Sequence, residues 1–337
     1  MHCEGWKVGL TIFTIMSLLF TKRKTLLPRS VFKDFQEFVL EGVKKREWAE
    51  STETRWTTFL KHLEKFDRHL NYERFTEEGL DEYVSFLTEK LELRNSTVSK
   101  ELKLLRWFLK WAENKGYNRL RTYSFYHPKL KMVRNSLIFL TKEELSKLYR
   151  LEIPSWYPSA RELAWSRDMF CFCCFTSLRY SDMINLKISD IHNGKVVITT
   201  QKTDDTLSIE LNDYATVILG RYLPGKKGDE KVFPHLTNCQ LNQNIKTLGL
   251  ICEFNDPQTR VFYRGRQKLV RTVPKWECLS SHCARRTFIC NALSSGINAQ
   301  TIMKWTGHSD YSAMKPYIDV TDRDKEDSMK RIFAHAI

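Results

Sequence analysis

Between residues 53 and 70 the side chains Trp56, Phe59, Leu60, Leu63, Phe66 and Leu70 recur at the three- and four-residue spacing of one face of an α-helix. A stripe of that width has to be buried against other elements, so the chain needs further helices nearby. Residues 75 to 92 and 97 to 115 repeat the pattern, and with a first helix after residue 30 they predict a four-helix unit over 30–116, ended by Gly116. On the last of these helices Lys100, Lys103, Arg106 and Lys110 recur at helical intervals opposite Leu102, Leu105 and Leu109. A basic stripe of this kind is either a solvated face or a surface for phosphates.

Periodicity lapses from 117 to 136, which reads as a linker carrying Pro128 and several basic residues. Thr141 and Glu144 then form a capping box that opens the helix KEELSKLYR, so a second unit spans 137–337. After its first helices, KVVITTQ and TLSIEL flank Lys202-Thr203-Asp204-Asp205 and predict a β-hairpin. More helices follow, interrupted by TRVFYRGRQKLVRTVPK, whose basic residues include Arg264 and Arg266 and which has no acidic one; that stretch is expected against phosphates. The fold class is mainly α with a small antiparallel β-sheet, the second unit being α+β.

Lys and Arg outnumber Asp and Glu by 54 to 40, a net charge of +14 that favours a polyanionic partner, either nucleic acid or an anionic membrane surface. Nine scattered cysteines make no disulfide framework and fit a reducing, cytoplasmic setting. Cys171 and Cys174 lie in the apolar run MFCFCCF without a second pair, which suits buried core better than zinc. The uncharged stretch 8–21 is shorter than the ~18 residues a membrane span needs. It could pass for a signal-peptide core, but TKRK follows where a cleavage site would stand, so residues 1–29 read as a buried element or the remnant of a truncated N-terminal module.

Several residues could do chemistry. If Ser281 caps a helix in SSHCARRTF, His282 and Arg285 share a face near amides that favour an anion, although H-x-x-R also describes an ordinary surface pair. In TSLRYSDM, Arg179 leaves a buried run with Asp182 three residues on, which predicts a structural ion pair, an anion-binding arm, or both. Lys202 sits at the hairpin tip, His308 follows Gly307 at the end of AQTIMKWTG, and Tyr317 follows a short helical segment whose end is disturbed by Pro316. No cluster of Asp and Glu offers oxygen ligands for Mg²⁺ and no HExxH offers zinc, so no metal or cofactor is expected. Phosphoryl transfer without a metal needs cations for the phosphate oxygens, an acid for the leaving oxygen and a nucleophile, and these six residues supply that set.

In the order Arg179, Lys202, His282, Arg285, His308, Tyr317, carried by SLRYSDM, QKT, SHCARRTF and TGHSDYSAMKPYI, the chain resembles the tyrosine recombinases, or phage integrase family. The likeness runs from about residue 30 to the end. It implies a helical, SAM-like core-binding domain at 30–116, a catalytic domain with a C-terminal tail at 137–337, and, in residues 1–29, too little chain for a full arm-type domain. It also implies that Tyr317 attacks a scissile phosphate to give a 3′-phosphotyrosine. Arg179 and Arg285 would bind the non-bridging oxygens, with Asp182 orienting Arg179; His308 would hydrogen-bond to the phosphate, His282 would manage the tyrosine proton, and Lys202 would protonate the 5′-oxygen. The partners implied are paired duplex DNA sites bound by a homotetramer through residues such as Lys100, Lys103, Arg106, Lys110, Arg264 and Arg266, accessory DNA-bending proteins, and no membrane. Pro316 before Tyr317 resembles a subgroup in mobile elements of Bacteroidetes. A type IB topoisomerase and a DNA binder without catalysis, the latter suggested by a helix-turn-helix-like pattern at 296–317, are the alternatives.

Overall fold

The amphipathic stripes close on one another. In a computed structural model that describes residues 30–46, 48, 50–199 and 206–321, helix α1 (Val31–Arg46) turns Val31, Phe35, Phe38 and Val39 inward against Trp56, Phe59, Leu60 and Leu63 of α2 (Glu50–Phe66). Phe38 and Trp56 meet edge to face, their ring centres 4.9 Å apart, and Phe35 meets Phe108 in the same way at 5.1 Å. Helix α3 (Glu77–Ser85) is capped by Thr76, whose hydroxyl accepts from the Gly79 amide, and a π-helical turn, Phe86–Lys90, continues it. Only glycine fits at 79, because a Cβ there would stand 1.8 Å from the Arg74 carbonyl oxygen. Helix α4 (Asn95–Asn114) completes the bundle with Val98, Leu102, Leu105, Phe108 and Leu109.

This first unit does not end where the periodicity lapses. Tyr123 on α5 (Thr122–Phe125), and Tyr126 after it, are buried in the same core, and the unit comprises the chain through Arg134 together with Val261–Val270. Those later residues belong to a hairpin of β4 (Pro257–Arg264) and β5 (Gln267–Pro274), turning at Gly265. Buried Asn95 holds the turn from both sides, accepting from the Gly265 amide at 2.7 Å and donating to its carbonyl at 2.9 Å.

The second unit is Asn135–Arg260 with the chain from Arg271 onward. Helix α6 (Lys142–Tyr149) opens on the Thr141–Glu144 capping box. Helix α7 (Ala160–Thr176) is the core element: Met169 through Cys174 are all buried, which explains a run apolar on every side. The short α8 (Tyr180–Ile184) follows, then the sheet β1 (Ile191–His192), β2 (Lys195–Thr199) and β3 (Thr206–Glu210), antiparallel in that order, with Val196, Ile198, Leu207 and Ile209 alternating inward. Helices α9 (Asp213–Gly220) and α10 (Asn238–Ile251) cover α7, and α11 (Ser281–Ser294), α12 (Ala299–Thr306) and α13 (Lys315–Thr321) carry the C-terminal cluster of Ile289, Cys290, Ala292, Ile302, Met314 and Tyr317.

The 1–29 segment with its apolar stretch, Lys202, and the tail from 322 lie outside the described residues. Among the described residues no helix is long and apolar enough to cross a membrane.

Candidate active site

The second unit gathers its charges around one turn. Ser177 ends α7 in the left-handed conformation (φ +62°), with its amide bonded to the Cys173 carbonyl. This costly geometry for a residue with a Cβ reverses the chain, so that the Ser177 carbonyl accepts from Arg285 Nη1 at 3.2 Å and its hydroxyl donates to the Trp305 carbonyl at 3.1 Å. The ends of α7 and α12 and the first turns of α11 are thereby tied together.

Arg179, two residues on, is extended (ψ 155°) and caps α8. Its Nη1 lies 3.8 Å from Asp182 Oδ2, an ion pair too long for a hydrogen bond, and this buried nitrogen has no hydrogen-bond partner among the described residues. Asp182 is thus within ion-pair reach of the guanidinium without satisfying this nitrogen.

Helix α11 supplies the second guanidinium. Its N-cap position falls on Ser280, not Ser281; Ser281 is the first helical residue, and its amide donates to Asn242 Oδ1 at 2.6 Å. The predicted cap is thus displaced by one residue, because a side chain from α10 takes over the capping. One turn along, Arg285 is 3% exposed. Its Nη2 donates to the Thr306 carbonyl and lies 3.3 Å from His308 Nε2. Burial and then the charge of Arg179 pull its pKa down to about 10, with Tyr317 and Asp182 acting the other way, so it stays cationic at neutral pH. Two like charges crowded in a poorly solvated place, with Asp182 as the carboxylate acting on Arg285 among the described residues, favour a nearby negative charge.

His308 is placed by a glycine. Gly307 ends α12 at φ +62°, and a Cβ there would meet Leu207 Cδ2 at 3.0 Å, so both backbone sign and space call for glycine. Since arginine can only donate, His308 Nε2 accepts from Arg285, which puts the ring proton on Nδ1, 2.8 Å from the Thr306 hydroxyl; that hydroxyl in turn donates to the Ile302 carbonyl. Burial, then Arg285, Arg179 and His282, depress the His308 pKa from 6.5 to about 4. Unfolded chains take up this proton near 6.5 while the folded one resists to about 4, so the unfolded state binds more protons in between and stability falls as pH falls through that window. His308→Asn is expected to lose less Tm between pH 7 and 5 than the unaltered protein; equal losses would show that His308 carries none of the acid sensitivity.

Tyr317 stands in the first turn of α13. Pro316 does not disturb the end of a helix, as the sequence suggests; it opens one, at a position whose missing N–H has no acceptor within the helix anyway. The phenol is 8% exposed and packs in the C-terminal cluster. Burial raises its pKa, and the charges of Arg286 and then Arg285 oppose that rise.

Of the residues singled out from sequence, Arg179, Asp182, Arg285, His308 and Tyr317 come together, and exposed His282 acts electrostatically on His308. Strand β3 is tied to α12 at its far end, where Glu210 accepts from the Trp305 indole at 2.8 Å. The proposed DNA-contact residues divide. Lys100 and Lys103 are exposed without an acidic partner among the described residues, and Arg266 is exposed at the β4–β5 turn. Lys110 pairs with Glu113, Arg106 donates to the Tyr126 carbonyl, and Arg264 pairs with Glu92. Ser177, Thr306 and Arg286 belong to the site and are not apparent from sequence. Ser177 and Thr306 hold Arg285 through backbone carbonyls, and their hydroxyls bond to partners fixed only by the fold, so neither leaves a local signature, whereas Arg286 stands beside Arg285 without a motif to single it out.

Comparison with known proteins gives a consistent picture. The pattern of the Phage integrase family matches residues 139–324, and that of the Phage integrase SAM-like domain matches residues 30–130. A tyrosine recombinase of Pseudothermotoga lettingae is 23% identical over 264 residues, covering 75% of this chain and 81% of its own. Tyrosine recombinase XerA of Pyrococcus furiosus is 25% identical over 292 residues, 80% of this chain and 93% of that one. Among solved structures, lambda integrase (75–356), a dimer bound to a COC′ core site, superposes with a TM-score of 0.64 at 14% identity, over 85% of this chain and 94% of that chain. The Tn1549 transposon integrase in complex with circular intermediate DNA gives 0.61 at 15% identity, over 86% and 95%.

Proposed function

The chain belongs to the phage integrase family, and we infer from that membership that it is a tyrosine recombinase, an enzyme that cleaves and rejoins DNA at specific sites. The observation that carries the assignment of roles is the crowding of the Arg179 and Arg285 charges beside a buried phenol.

A scissile phosphate held there would offer its two non-bridging oxygens to the guanidiniums, and its negative charge would relieve their mutual repulsion. Tyr317 Oη then attacks phosphorus in line; the O–P bond forms as the P–O5′ bond breaks, giving a 3′-phosphotyrosine and a 5′-hydroxyl. The phenolic proton leaves with the help of His282, and Lys202 delivers a proton to the 5′-oxygen. Phosphate binding would also offset the Arg285 and Arg179 charges that add to burial in holding the His308 pKa down, so that the imidazole could acquire a second proton and donate from Nε2 to an oxygen. Because the ester energy is kept in the phosphotyrosine, a 5′-hydroxyl from another duplex can reverse the step without ATP.

The same reading places Lys100, Lys103 and Arg266 on duplex phosphates and has the protein act in the cytoplasm as a tetramer on two paired sites, with accessory bending proteins where a site must be curved. The first unit, extended from the expected 30–116 through Arg134, would serve as the core-binding domain, the second unit as the catalytic domain, and the tail would dock on a neighbouring protomer. Pro316-Tyr317 favours an origin in a mobile element of the Bacteroidetes type.

The test is to incubate the full chain with a nicked duplex carrying a site that the protein itself selects from a randomised pool. The nick lets the short 5′-product diffuse away and traps the covalent intermediate. Proteolysis of the adduct should leave DNA on the peptide containing Tyr317; linkage to any other residue would refute the assignment.

A further inference from the structure

The strongest charge acting on the Tyr317 phenol comes not from Arg285 but from its neighbour Arg286. The two arginines are adjacent on α11 and therefore point about 100° apart around the helix. Arg285 faces Ser177, Thr306 and His308. Arg286 lies on the side of Cys290, one turn further on, and Cys290 and Tyr317 belong to the same packed cluster. Arg286 is half-buried; its Nε is shielded from solvent and has no hydrogen-bond partner among the described residues. A buried donor of this kind is costly to leave unpaired, and the cluster that Arg286 borders through Cys290 contains the Tyr317 ring.

Resting on the assignment of Tyr317 as nucleophile, we propose that Arg286 is a positioning residue for that tyrosine, steering the phenol oxygen and balancing the negative charge that gathers on it before the O–P bond forms. The arrangement divides labour along α11: Arg285 grips the phosphate, and Arg286 prepares the atom that attacks it. In the attack the phenolic proton goes to a base, the oxygen lone pair forms the bond to phosphorus, and the P–O5′ pair leaves with the 5′-oxygen. Arg286 gains and loses nothing in that exchange; its charge favours the phenolate-like oxygen over the neutral phenol, which burial otherwise favours. The charged and titratable groups acting on Tyr317 are Arg286, Arg285 and Cys290, all on α11, while Ile302 of α12 and Met314 before α13 present only apolar surface.

The experiment is single-turnover cleavage of the nicked, self-selected duplex from about pH 6 to about pH 10, with Arg286→Gln and Arg286→Lys beside the unaltered protein. Arg286→Gln should cleave about tenfold more slowly at neutral pH, and its alkaline rise should move up by about one pH unit, the tenfold change carried by one unit. Arg286→Lys should restore most of the rate and the profile. Duplex affinity and its salt dependence should stay unchanged. A glutamine variant with the original pH profile overturns the proposal whatever its rate, since a purely structural role lowers Tm and amplitude without moving the profile. A loss of affinity with a shallower salt slope overturns it by making Arg286 a phosphate contact. Should the unaltered protein form no adduct dependent on Tyr317, the nucleophile assignment falls and this proposal with it; an adduct together with an unmoved profile removes only the role of Arg286.

Discussion

Tyr317→Phe is expected to abolish the covalent protein–DNA adduct while leaving the protein folded and bound to duplex. The ring is 8% exposed and packs with Ile289, Cys290, Ala292, Ile302 and Met314, contacts that phenylalanine keeps. What disappears is the atom that, on the proposed mechanism, bonds to phosphorus. Removing a nucleophile from a preorganised site lowers turnover by about 10⁶, here below detection in a gel-shift trap under denaturing conditions. The change in stability should stay within about 1 kcal/mol, because a buried hydroxyl is exchanged for hydrogen with little change in shape. A residual adduct would mean that another residue attacks; loss of the melting transition would mean that the phenol serves the fold first.

Arg285→Lys is the second large effect, and it separates charge from geometry. The arginine fork reaches the Ser177 carbonyl with one nitrogen and the Thr306 carbonyl and His308 with the other. A lysine ammonium in that position keeps the charge but has a single nitrogen and cannot span those partners while holding a phosphate oxygen. Cleavage should fall by roughly 10³, in the range for removal of one preorganised transition-state donor. His308 should stay depressed in the lysine variant, because burial and the retained positive charge both persist, which histidine ring NMR signals would report. Arg285→Ala goes further, leaving the Ser177 and Thr306 carbonyls without their donor and costing about 1–3 kcal/mol for each buried acceptor left unsatisfied. If the lysine variant cleaves at the normal rate, the guanidinium has no geometric role and the phosphate lies elsewhere.

The residues that would do chemistry are conspicuous in the sequence because each stands beside a local signal. Arg179 breaks an apolar run, His282 and Arg285 share a helical face, and His308 follows a glycine at a helix end. Their assembly depends on what local signals do not carry. Arg285 meets its carbonyl partner 108 residues away, at a serine whose left-handed turn no propensity would place there. The cap of α11 moves by one residue because Asn242, 39 positions earlier, competes for the Ser281 amide. The helical bundle is legible for the opposite reason: its stripes are periodic within single helices. The β4–β5 hairpin escapes notice because its strands alternate only weakly between buried and exposed positions, their faces being partly open on both sides.

The amino-terminal unit is discontinuous, since Val261–Val270 belongs to it and the Gly265 turn bonds to both ends of the buried Asn95 amide, which also donates to the Lys131 carbonyl. Emerging from the ribosome, its bundle can collapse early, but the Asn95 side-chain oxygen has to wait for the Gly265 amide until more than a hundred further residues have been made. Completion of the first part of the molecule is therefore timed by synthesis of the second. A fragment stopping at residue 134 should express as a looser, more protease-sensitive species than the same residues within the whole chain.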